Sequence, residues 1–251
     1  MPRSGNPAFN QSVIKSLPLT NKTNSMSVAK TYIKTFILLA LVMLSAAISW
    51  QWMKTSIVNS EIRWLPLWIT SLSTFFMAMV ISFKPKSAPV LAPIYAILQG
   101  ALLGIVSGTF AQSYEGIVGQ AVFLTLAVFL GVYLGYVLGI LRATGTFVRI
   151  ILTAMLGYLM FSLLAWIFSL FNLVTPVINA YGQWGVVFSL LIILVAALSL
   201  VLDFDFIDAA AQQNYPKYFE WYGAFGLMVG LIWLYMEILR LLARLAARSQ
   251  S

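Results

Sequence analysis

The sequence predicts an all-α integral membrane protein, a bundle of seven transmembrane helices, and three observations carry that prediction. Of its 251 residues 61% are hydrophobic and 9% charged, with a mean hydropathy of +0.92, so the apolar material far exceeds what one soluble core can bury. This material falls into runs, each near the ~20 residues that a spanning helix needs. Lysine and arginine collect in the N-terminal tail and in alternate links between runs, which is a topology signal in a membrane protein and not a nucleic-acid footprint.

Residues 1–34 hold Arg3, Lys15, Lys22, Lys30 and Lys34 and no acid, and they lack the short apolar core of a secretory signal. They are expected to form a basic cytoplasmic tail. The transmembrane domain is expected over 35–246, with helices at about 36–53, 64–83, 88–110, 117–141, 150–172, 184–213 and 217–246. Trp50, Trp52, Trp64, Trp68 and Trp184 lie near segment ends, where an aromatic belt places them.

Charge sets the orientation. With the N-terminus inside, the inner segments carry the five tail residues, Lys84, Lys86, Arg142, Arg149 and Lys217, ten in all, against Lys54 and Arg63 outside. An odd number of spans then leaves Arg244 and Arg248 on the outer side, with Arg240 just inside the helix. Either the last helix does not cross fully, or these arginines reach to the outer surface.

Small residues recur at helical spacing. Gly100, Gly104 and Gly108 share one face of the third helix, and Gly131, Gly135 and Gly139 share one face of the fourth, the pattern that lets membrane helices approach closely. These faces are expected to contact one another or the last helix. Gly226 and Gly230 repeat the pattern more weakly in the seventh helix, which is therefore expected to pack against protein.

Three of the seven acids fall in S-L-V-L-D-F-D-F-I-D, residues 199–208, at the end of a long apolar run. An ionisable residue at membrane depth is costly and by default marks an ion or proton site. There is no histidine, so proton sensing near neutral pH has to rest on carboxylates perturbed by burial or by a neighbouring charge. Asp203 is the deepest of the three. Asp205 lies ~160° away around the helix and shares a face with Asp208, so the three cannot serve one site. The helix is expected to continue to Gln213 and to break at Asn214, Tyr215 and Pro216. Glu237 in the seventh helix is either a functional acid or the partner of Arg240 three residues on. If that helix is continuous, Asp203 must find its polar partner elsewhere, and Gln99 on the glycine-faced third helix is the candidate.

Enzyme signals are lacking. There is no cysteine, no phosphate-binding glycine loop, no metal-ligand cluster and no Ser-His pair, and an intramembrane aspartyl protease needs its two aspartates on different helices. The chain is expected not to be an enzyme.

N-P-A-F at 6–9, F-K-P-K-S-A-P-V-L-A-P-I-Y-A-I-L-Q-G at 83–100, V-L-D-F-D-F-I-D at 201–208 and P-K-Y-F-E-W-Y-G-A-F-G from 216 closely resemble a bacterial branch of the Bax inhibitor-1 family, the transmembrane Bax-inhibitor-motif proteins. The resemblance covers nearly the whole chain. It implies a seven-helix bundle with a central seventh helix and, for the better-described members, a proton-sensitive calcium leak. It also implies that an aspartate late in the sixth helix pairs with one in the seventh to close the path, while a basic residue near the second helix can engage the first. Asp203 matches the sixth-helix aspartate. Glu237 is the nearest acid to the seventh-helix one, and Gln99 stands where a glutamate is expected.

The expected function is thus a pH-sensitive cation leak or channel, with Ca²⁺ as the transported or bound ion and no other cofactor. Asp203, Asp205, Glu237 and Gln99 are the ion-binding or proton-sensing candidates, Asp203 the one that would touch the metal, and Lys84 the candidate latch; hard cations take oxygen ligands of this kind. The alternative is a regulatory protein that binds other membrane proteins and carries no flux. The expected setting is the bacterial inner membrane, as a monomer or weak oligomer, in contact with lipid and cations and not with nucleic acid.

Overall fold

A computed structural model describes residues 25–58, 64–171 and 183–249. Arg3, Lys15, Lys22, Arg63 and the 6–9 motif lie outside the described residues, as do the side chains of Lys54, Trp64, Trp68 and Trp184.

The elements are α1 (Val28–Val58), α2 (Trp64–Phe83), a 3-10 turn at Pro85–Ser87, α3 (Ala88–Ser113), α4 (Ile117–Val137), α5 (Gly145–Leu170), α6 (Gln183–Gln212) and α7 (Tyr218–Ser249). All but α2 are long and apolar enough to cross a membrane, and in α2 the described apolar stretch is the shorter Ile69–Phe83. The chain is a helical membrane bundle. Only helices or closed barrels satisfy every backbone group in hydrocarbon, which is why long apolar runs fold this way.

The helix ends follow local chemistry. Gly116 and Gly139, at φ of 74° and 72°, bracket α4 in a left-handed conformation that other residues rarely adopt. Asn214, at φ of 55°, ends α6: its N–H bonds to Ala211 and that of Tyr215 to Ala210, the pair of bonds that defines a Schellman motif. Pro216 follows, where a helix cannot continue. The first helix starts at Val28, earlier than the apolar run, and so takes Lys30 and Lys34 into its first turns.

Two compact units are present. Among the described residues the first comprises those within 25–113 and Asp203–Val229, and the second those within 114–202 and 230–249, so α6 and α7 each contribute to both.

In the first unit α1 packs along α3. A Cβ at Gly100 would lie 2.9 Å from the Cα of Val42, one at Gly104 would meet Ala46 and Ser49, and one at Gly108 would lie 2.5 Å from the sulfur of Met53. Ser45 Oγ donates to the Ile97 carbonyl at 2.6 Å across the same seam. The glycine face of α3 is therefore built for α1, and not for the fourth or the last helix. The opposite side of α1 presents Phe36, Met43, Leu44 and Ile48, as a lipid-facing side does.

In the second unit Val148 and Ile151 of α5 pack with Leu202 of α6, and Phe161 meets Phe188 at 5.1 Å. The glycines of α4 do not act as expected. A Cβ at Gly131 would meet nothing within 4 Å, one at Gly135 would meet only the side chain of Leu141, and Gly139 lies beyond the end of the helix. Spacing alone cannot distinguish a packed face from an open one, or a third interface glycine from a turn glycine. The last helix is buried on nearly all sides; three-fifths of its most apolar window is enclosed.

Candidate ion site

Asp203 is 8% exposed and lies on α6 among fully enclosed Leu200, Val201, Phe204 and Ile207. Its Oδ1 is 3.6 Å from where a Cβ would stand on Gly226 of α7. Tyr222, one turn earlier on α7, is near enough to feel the charge of the carboxylate. Burial is the dominant influence on Asp203. On α7, continuous from Tyr218, the residue level with Asp203 is Gly226.

Asp205 is half-buried and interacts electrostatically with Asp208 instead. Among the described residues no group of three or more acids could hold a metal ion, so the aspartates of 203–208 do not converge. Their spacing on one continuous helix makes that unavoidable.

Gln99 is half-buried on α3 and does not bond to Asp203. Tyr95, one turn before it, is what reaches α7: it is 6% exposed and meets Phe225 edge-on at 5.1 Å, beside Gly226. Lys84 is exposed, and its described role is in the backbone of the α2–α3 link, where its N–H donates to Val80 and its carbonyl accepts from Ser87. Lys84 forms no ion pair with a described carboxylate.

A different lysine is engaged. Lys34 Nζ donates to Glu220 Oε2 at 2.5 Å, and the Ser27 N–H donates to Glu220 Oε1 at 3.0 Å. Glu220 is 2% exposed in the first turn of α7, where the helix dipole favours an anion. The Lys34 ammonium also lies 5.0 Å from the centroid of the Trp221 ring. The Met26 N–H donates to Tyr215 O at 2.7 Å and Ser25 pairs with Pro216 in an antiparallel bridge, so the entry to α1 is tied to the α6–α7 turn as well. Thr31, fully buried, is 3.2 Å from a Cβ position on Gly223, and Tyr32 stands 6.4 Å from Phe204, next to Asp203. Phe206, Phe219 and Tyr222 form an aromatic cluster on the same turns.

In the second unit Glu237, 4% exposed, accepts from Tyr158 Oη at 2.6 Å, Arg240 Nη1 at 2.8 Å and Trp233 Nε1 at 3.2 Å. The Tyr158 ring stacks on Trp233 at 5.8 Å. Arg244 Nη1 donates to the Gly185 carbonyl at 2.8 Å and to Ser189 Oγ. Of the two sequence readings of Glu237, the ion pair with Arg240 is the one present. Arg240 and Arg244 find partners in protein.

A model of the family described as Bax inhibitor 1 like matches residues 6–247. The chain belongs to this family. No curated protein and no solved structure matches it. For this Bax inhibitor 1 like chain, the resemblance implied a second acid on the seventh helix beside Asp203. Gly226 occupies the position on α7 that faces Asp203. Lys34 and Glu220, not Lys84, form the charged contact near the aspartate. Glu220 stood in plain view in P-K-Y-F-E-W-Y-G-A-F-G, and its signal was an acid in a helix's first turn. Its partners, 186 and 193 residues away, had no local signature.

Proposed function

We propose that this Bax inhibitor 1 like protein is a cation leak, Ca²⁺ among its ions, in which the protonation of Asp203 sets the open population of the path. The observation that carries the reading is the setting of Asp203: an acid only 8% exposed inside an apolar helix, facing a glycine that leaves room beside its carboxylate. A charge so placed is costly, and a group that can shed its charge by taking a proton, or share it with a passing cation, relieves that cost. Carboxylate oxygen suits a hard cation, and a lone carboxylate suits transit better than storage. In this reading the protein is not an enzyme, is a monomer or weak oligomer, and lies in a bacterial inner membrane with residues 1–34 on the cytoplasmic side.

The test is flux through liposomes containing the purified protein, with Ca²⁺, K⁺ and Na⁺ compared across a pH series. A pH-dependent flux above empty vesicles supports the reading, and none with any ion overturns it. A regulatory reading keeps one observation in its favour: Gly131 and Gly157 have open space over them, where a helix of another protein can seat.

A further inference from the structure

We propose that the start of α1, residues 25–34, is a lid over the Asp203 site and that Glu220 is the latch that holds it shut. The proposal rests on the reading of Asp203 as the gate, and adds how that gate is closed.

The lid contacts both walls of the site. Thr31 lies against Gly223, one turn before Gly226 on α7, as does Ile207, one turn beyond Asp203 on α6, and the Tyr32 ring stands 6.4 Å from that of Phe204. Exchange of a proton or cation at Asp203 requires water to reach it, and at 8% exposure little does. The segment lying over these turns is the one that has to move.

Glu220 is fitted for latching by the way its two oxygens are divided. One holds the backbone N–H of Ser27, just ahead of α1, and the other holds Lys34 two turns into it, so a single carboxylate fixes both the entry and the axis of the helix. Neither bond can break alone without leaving a buried charge poorly compensated. Opening both together exposes carboxylate and ammonium to water, where each is well solvated. The contact therefore has two favourable arrangements, closed and open, with a barrier between them. Lys34 over Trp221 adds to the closed state alone.

The chain has no cysteine, so a thiol placed at Gly226 is a unique reporter; its Cβ would make only an ordinary contact with Asp203. Full-length Gly226→Cys protein in liposomes is treated with a water-soluble methanethiosulfonate, alone and combined with Glu220→Gln, Lys34→Met or Lys34→Arg. The latch predicts labelling at least about tenfold faster with Glu220→Gln and Lys34→Met, little change with Lys34→Arg, and a parallel rise in Ca²⁺ leak. Lys34→Met leaves the carboxylate in place, so the test survives if Glu220→Gln fails to fold. Labelling within twofold of the parent in the folded variants overturns the latch, whatever the flux. Faster labelling in a protein that carries no flux at all keeps the lid and removes the leak.

Discussion

The Oδ1 of Asp203 and the empty Cβ position of Gly226 are 3.6 Å apart, so the acid of α6 and the glycine of α7 are fitted to each other. A methyl group at 226 sits at van der Waals distance, while a side chain as bulky as leucine has to displace the carboxylate or its neighbours. Gly226→Ala is expected to leave the protein as stable as the parent or up to about 1 kcal/mol more stable, from helix propensity. Gly226→Leu is expected to cost about 1–3 kcal/mol by overpacking and to alter flux. Thermal unfolding in detergent separates the two.

On α3, Gly104→Leu is expected to force α1 away, because the added atoms fall on Ala46 and Ser49. A loss of about 1–3 kcal/mol or more follows. Gly131→Leu, with nothing within 4 Å, is expected to be tolerated. Equal losses for both would contradict the assignment of the packed face.

Glu237→Gln weakens the contacts to Arg240 and Tyr158 and is expected to lower stability by about 1–3 kcal/mol, the scale of hydrogen bonds to a charged group. The pH response of flux is expected to persist, because Glu237 is engaged by Tyr158, Trp233 and Arg240. A pH response lost with Glu237→Gln and kept with Asp203→Asn would reverse the roles given to the two acids.

Thr31→Cys with Gly223→Cys is expected to form a disulfide on oxidation, the two positions being within bridging range once Ile207 yields slightly. The bridged protein is expected to show vesicle-background flux, restored by dithiothreitol. Unchanged flux with the bridge confirmed by mass would show that the start of α1 does not move during opening.

The membrane fold was legible because hydropathy accumulates over some twenty residues, and no local exception outweighs it. The importance of Asp203 was legible for a related reason, since an acid inside an apolar run stands out without any knowledge of its neighbours. Its surroundings were not. Gly100 and Gly131 carry the same spacing signal, yet one meets α1 and the other open space, because spacing describes one helix and packing needs two. Gly139 continues the spacing while serving as a left-handed turn residue. Lys34 read as tail because windowed hydropathy starts at the first apolar residue, whereas the helix starts at Val28. Its pairing with Glu220 joins opposite ends of the chain, and only the fold brings those together.

The most direct test of the central claim is the pH response of Ca²⁺ flux in liposomes carrying the parent protein or Asp203→Asn, matched for protein content. The account predicts a parent flux that changes with pH and a variant flux held at one level across the same range, because the amide keeps the shape of the protonated acid and cannot titrate. A variant whose flux follows the parent's pH profile would contradict it.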